Sequence, residues 1–153
     1  MNKKIIIGMI VAAIIPAAVY AGSPLFINNT INETLPTAGD GTSATINATP
    51  LSGTFVGVGD GIHNAEGTAK IVSLNDGSKI LRFENFKSTN GPDLYVYLAT
   101  DSKATDYVSL GPLKANIGNQ NYQIPDGTDI SKYNTALVWC KQFSVLFGHA
   151  SLS

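Results

Sequence analysis

From residue 53 to the C-terminus, apolar residues recur in short runs, each bounded by Gly, Pro, Asn or Asp. GTFVGV (53–58), TAKIVSL (68–74) and SKILRFENF (78–86) come first, the last with imperfect alternation. The clearest run is LYVYLA (94–99), in which Leu94, Val96 and Leu98 share one face and Tyr95 and Tyr97 the other. That is the two-residue period of a pleated strand. YVSLGPL (107–113), NQNYQIP (119–125), NTALVWC (134–140) and FSVLFGHASL (143–152) continue the series. Asn75-Asp76-Gly77 has the chemistry of a tight hairpin turn, because these residues tolerate positive φ. No amphipathic helical period of useful length interrupts the runs, and DSKATD (101–106) holds a helical turn at most. Seven or eight strands spaced by about 10–15 residues predict an all-β domain. It is either an antiparallel β-sandwich or a barrel-like closure of the same strands.

The first third of the chain has another texture. Lys3 and Lys4 precede an uncharged, mostly apolar run from Ile5 to Ala21, and no further charge occurs before Glu33. An apolar helix behind two lysines is either a secretory signal or a membrane anchor. Val19-Tyr20-Ala21 supplies small residues at cleavage positions, whereas the length also meets the minimum for a bilayer span. Both readings place the rest of the chain outside the cytoplasm. Residues 22–51 are rich in Thr, Asn, Gly, Ala and Pro, a composition that buries little surface, and are expected to form a flexible polar linker. The expected organisation is therefore 1–21 signal or transmembrane anchor, 22–51 linker and 52–153 β domain. Asn28, Asn32 and Asn47 each begin an N-x-[ST] sequon and are candidate glycosylation sites.

Beyond Ala21 the chain carries 8 basic and 11 acidic residues, without a basic stripe, which argues against nucleic acid as a partner. A single cysteine, Cys140, excludes an internal disulfide, so packing alone must hold the domain together.

Few motifs carry chemistry. Gly57-Val58-Gly59-Asp60-Gly61 lacks the third glycine and following helix of a nucleotide loop. Asp60, Asn64 and Glu66 offer oxygen ligands, but not at the spacing of an EF-hand. His63 lies in that loop and His149 near the C-terminus; no CxxCH motif for covalent haem attachment exists. Asp93, after Gly91-Pro92, is placed to cap a turn through its side chain. In NTALVWC, Leu137 and Trp139 share one face and Val138 and Cys140 the other. Trp139 is expected in the core, leaving Cys140 at a strand end, where it is either a small buried hydrophobe or a rim thiol. Lys141 is the cation that would favour a thiolate there.

Taken in order, GTFVGVGDGIHNAEGTAKIV, DGSKILRFENFKSTNGPDLYVYL, LGPLKANIGNQNYQIP and YNTALVWCKQFSVLFGHASL closely resemble the DM13 domain family over about 100 residues. The resemblance implies an extracellular all-β module. In larger members this module accompanies DOMON and cytochrome b561-type domains, a setting of electron transfer or oxidative modification. The family's characteristic cysteine matches Cys140 in VWCKQFSVLFG, and its signature blocks include His63 in GIHNAEG and Asp93 in GPDLYVYL. The resemblance thus points to Cys140 as a redox thiol, or as a haem or metal ligand with His63. Because no DOMON or cytochrome partner accompanies the domain in this sequence, the electron donor or acceptor is expected to be a separate molecule.

The expected function is a membrane-tethered or secreted extracytoplasmic redox accessory protein, with residues 5–21 contacting the membrane. The alternative is a non-catalytic cell-envelope module binding glycan or protein through Tyr95, Tyr97, Tyr107 and Tyr122. No nucleophile–base set stands out for catalysis by the chain itself.

Overall fold

The computed structural model describes Lys3, residues 27–36 and residues 50–153. The expected signal or anchor and the sequon at Asn47 lie outside the described residues. The strands are β1 (Leu51–Thr54), β2 (Val56–Gly57), β3 (Ala65–Ser73), β4 (Lys79–Ser88), β5 (Leu94–Ala99), β6 (Tyr107–Pro112), β7 (Ile117–Ile124), β8 (Thr135–Cys140) and β9 (Val145–Ser151). They form two sheets, ordered β1-β3-β4-β7 and β2-β9-β8-β5-β6, with antiparallel pairing throughout. The all-β expectation holds, and two facing sheets decide for a sandwich over a barrel.

GTFVGV, read as one strand, divides between the sheets. β1 pairs with β3, β2 pairs with β9, and the intervening Phe55 is buried in the core. Its ring meets Phe83 edge-on at 4.9 Å and Phe86 at 5.3 Å. Such aromatic pairs add to the area buried.

The irregular alternation of SKILRFENF has a local cause. Phe83 and Phe86, three positions apart, both point inward because pairing with β7 shifts register between them. Asn85 takes φ +49° inside this bulge, a left-handed conformation that asparagine tolerates. The 75–77 turn is as expected: Asp76 accepts hydrogen bonds from the Ser78 amide at 2.9 Å and hydroxyl at 2.6 Å, and Gly77 has φ +85°.

Between the sheets lie Leu81, Phe83 and Phe86 of β4, Leu94, Val96 and Leu98 of β5, Tyr122 and Ile124 of β7, and Ala136, Val138 and Cys140 of β8. Gln120 is fully buried yet satisfied. Its Nε2 donates to the Ala115 carbonyl at 2.8 Å, and its Oε1 accepts from the Tyr122 hydroxyl at 2.6 Å. A second apolar cluster covers the outer face of the five-stranded sheet, where Tyr97, Ala99 and Leu137 are buried against Tyr95, Ala104, Trp139 and Leu146.

Residues 27–36, part of the stretch expected to be a flexible tether, run alongside β7. Thr30 and Ile117 form a parallel bridge, the Ile31 amide donates to the Ile117 carbonyl at 3.0 Å, and the Glu33 amide to that of Asn119 at 2.9 Å. Side chains complete the strap. Glu33 pairs with Lys114 at 2.8 Å and accepts from the Asn121 amide at 2.6 Å, while Asn121 Nδ2 donates to the Thr34 carbonyl at 2.7 Å. Gly118, at φ +107°, permits the approach, since a Cβ there would sit 1.9 Å from the Ile31 carbonyl oxygen. The strap thus occupies hydrogen-bonding groups that β7, an edge strand, would otherwise present to solvent.

Candidate functional site

Of the residues singled out by sequence, His63, Asp93, Trp139, Cys140 and Lys141 lie at one end of the sandwich, where four segments meet. Loop 58–64 is joined to loop 89–93 by the Thr89 amide donating to the Asn64 carbonyl at 3.0 Å and the Asn64 amide to Thr89 Oγ1 at 3.0 Å. The β8–β9 turn joins through the Lys141 amide, which donates to the Asp93 carbonyl at 3.0 Å. The strap joins through Asn90 Nδ2, which donates to the Ile27 carbonyl at 3.3 Å.

Cys140 is the last residue of β8, opposite Leu94 on one side and Val145 on the other. Its parity with Val138 directs the thiol into the space between the sheets, where the residue is 2% exposed. The thiol donates to the Pro92 carbonyl at 3.1 Å. Cys140 is thus buried, but its polar partner belongs to a loop rather than to the sheet. Gly91, in the same loop, lies so close to Phe147 that a Cβ would approach the ring to 2.5 Å.

The parity expected for NTALVWC is correct, but its sides are reversed. Trp139 belongs to the outer cluster with Tyr95, Tyr97 and Leu146, and Cys140 to the core. Both faces of β8 carry apolar residues, so alternation alone does not distinguish them. The Lys141 ammonium lies over the Tyr95 ring, 4.9 Å from the centroid, on the outer side. Tyr107 extends the outer group, stacked on Tyr97 at 4.2 Å and 19°. Burial, then the neighbouring Tyr107 hydroxyl, pushes the Tyr97 phenol up to about 12. Tyr122 does not belong to this face. It lies in the core against Phe83, and burial holds its phenol above the usual range.

His63 is partly exposed and bonds through Nδ1 to Asp60 Oδ2 at 2.5 Å. Asp60 Oδ1 accepts from the amides of Ile62 at 2.9 Å and His63 at 2.7 Å. The His63 side chain and these amides draw the Asp60 carboxyl down to about 2. On its other side His63 meets Phe147 edge-on at 4.7 Å. Asp93 is exposed with φ +54°, and its backbone carbonyl, rather than the expected side chain, makes the bond that ties the turn to Lys141. The Nδ1 of His149 is buried, and among the described residues no protein group bonds it.

These positions test the ligand expectations. Asp60 spends its carboxylate on His63 and on amides, and Glu66 pairs with Lys87 at 3.7 Å. Among the described residues no three His, Cys, Asp or Glu side chains converge as a metal site. The Cys140 sulfur faces the Pro92 carbonyl within the core, so the donors present do not fit a haem or a closed metal centre. A cleft of about 500 Å³ opens beside the thiol loop, bordered by Ile27, Asn90, Asp93, Leu113 and Asn116. Sequence reasoning missed Pro92, Phe147 and the strap. The Gly-Pro dipeptide signalled a tight loop, but its contact with Cys140 spans 48 positions and leaves no local trace.

An all-β sandwich with one thiol held under a loop at the end of a central strand defines the class of domain. The chain belongs to the DM13 family: the family model described as "Electron transfer DM13" matches residues 56–152, which takes in β2 through β9. No curated protein and no solved structure matches the chain.

Proposed function

We propose that this protein is a membrane-tethered, extracytoplasmic redox accessory module in which Cys140 is the exchanging centre. Membership of a family described by electron transfer supports the redox class. The observation that carries the assignment to Cys140 is the hydrogen bond from its thiol to the Pro92 carbonyl. A core cysteine bonded within a sheet is released only when the sheet opens. This one is covered by a loop with a left-handed Asp93, so local opening of 89–93 suffices. The opened thiolate attacks a disulfide in a separate partner. A bond forms between Cys140 Sγ and one partner sulfur, the partner disulfide breaks, and its other sulfur leaves as a thiolate that takes up the proton lost by Cys140. Residues 5–21 serve as the uncleaved anchor, with Lys3 and Lys4 on the cytoplasmic side.

The test is exchange of the native full-length protein with an aromatic disulfide reagent. Reaction at a rate well above that of global unfolding, absent in Cys140→Ser, is the expected result. Reaction only at the unfolding rate overturns the assignment of Cys140 as the centre.

A second reading has its own observation. Tyr95, Tyr97, Tyr107 and Trp139 gather on one outer face with the Lys141 ammonium above Tyr95. Such a face suits a cell-envelope glycan or protein partner. Glycan retention that survives Cys140→Ser and fails in Trp139→Ala selects this reading.

A further inference from the structure

The strap changes the length of chain between the apolar segment 5–21 and the domain. Were residues 22–51 free, they would allow the sandwich to stand far from its anchor. Because the chain is bonded to β7 from Asn29 onward and Ile27 is held by Asn90, only residues 22–26 remain between the two. Five residues reach at most about 18 Å. The strap runs parallel to β7, so the connection leaves the sandwich at the end where β7 begins and β4 finishes.

That end carries four exposed apolar side chains on the segments already described. Ile27 is 63% exposed, Val58 45%, Ile62 69% and Phe143 63%. Hydrogen bonds tie these segments into one surface: Ile27 to Asn90, Asn64 to Thr89, and Asp93 to Lys141. In sequence, Leu25 and Phe26 extend the apolar character from Ile27 back toward the anchor. The opposite end, by contrast, is closed by the polar turns 75–78 and 125–128.

Resting on the anchor reading above, we propose that this end of the sandwich lies against the lipid surface, with Ile27, Val58, Ile62 and Phe143 in the interfacial layer. The short connection allows no other end to reach the bilayer first. Apolar side chains on loops, without a basic patch, suit shallow insertion driven by burial rather than attraction to anionic headgroups. The arrangement also holds the thiol loop and the adjoining cleft close to the membrane.

The test places a single tryptophan in the full-length protein, in a Trp139→Phe background, reconstituted in phosphatidylcholine vesicles with brominated acyl chains. Phe143→Trp and Ile62→Trp report on the apolar end, and Asp126→Trp on the opposite end. Both apolar-end positions are exposed, so either substitution is accommodated by the fold. At least about a twofold loss of emission at Phe143→Trp and Ile62→Trp is expected, with Asp126→Trp unchanged. Vesicle-bound protein with equal quenching at both ends, or with none, overturns the orientation while leaving the anchor intact. Protein that does not float with the vesicles overturns the anchor and the orientation together.

Discussion

The Cys140 thiol and the Pro92 carbonyl, 48 positions apart, are joined by a hydrogen bond of 3.1 Å that links the end of β8 to the loop before β5. A neutral thiol is a weak donor, so this contact fastens the loop only lightly. The firmer restraints are the Lys141 amide on the Asp93 carbonyl and the packing of Gly91 on Phe147. On the proposal above, access to sulfur is governed by the loop rather than by the sheet.

Gly91→Ala tests that control. An added methyl meets Phe147 Cζ at 2.5 Å and Leu94 Cδ2 at 3.1 Å, both side chains of the packed core. Overpacking of this kind costs about 1–3 kcal/mol, and the loop is the part free to yield. Faster thiol labelling of the native protein is expected, by more than the fall in global stability accounts for. An unchanged ratio of labelling to unfolding rate would show that the loop does not gate the thiol.

Lys141→Ala separates the two faces of β8. Its ammonium is over Tyr95, away from the thiol, so labelling of Cys140 as a function of pH should be the same in the variant. Stability should move by no more than about 0.5 kcal/mol. Cys140→Ala, by contrast, removes a buried sulfur and leaves the Pro92 carbonyl without its donor, at about 1–2 kcal/mol. Chemical denaturation of the two variants side by side checks the pair.

These faces also show what the sequence could and could not disclose. LYVYLA is legible because one side of β5 holds Leu94, Val96 and Leu98 while the other begins with two tyrosines. NTALVWC resisted because Leu137 and Trp139 are as apolar as Val138 and Cys140, and the outer cluster buries Leu137 fully. The strap was invisible for the opposite reason. Residues 27–36 dock through backbone groups and through Asn28, Asn32 and Glu33, so a reading based on apolar burial sees only a linker. Two candidate glycosylation sites, Asn28 and Asn32, consequently lie on this docked segment, each exposed but with its Oδ1 accepting a hydrogen bond from the domain.

Tyr97 makes the fold sensitive to alkali. Its phenol is raised to about 12, chiefly by burial and then by Tyr107, so the neutral form is favoured in the native state. A free tyrosine ionises near about 10. The stabilisation is whole below that value and is lost as pH rises from there through about 12. Tyr97→Phe should flatten this part of the stability–pH curve. A variant curve that falls as steeply as the parent would assign the alkaline loss to another group.

Glu33 sets the opposite dependence on the strap. Burial works to raise its carboxyl, but bonds from Lys114 and the Asn121 amide, with the nearby charges of Lys114 and Arg82, hold it below the ordinary value. A depressed native pKa means that the contribution to docking is present above the unfolded pKa and is lost as pH falls through the native one. Glu33→Gln removes the charge at every pH while keeping the shape, and the cost should be about 1 kcal/mol for a partly exposed ion pair with a backbone bond. Hydrogen exchange locates the effect. The Ile31 and Glu33 amides, which donate to the Ile117 and Asn119 carbonyls, should exchange faster in the variant at neutral pH. In the parent their protection relative to intrinsic exchange at the same pH should fall only in acid, while the β8 amides keep theirs in both. Equal acceleration across strap and sheet would mean that Glu33 supports the whole domain and not the strap alone.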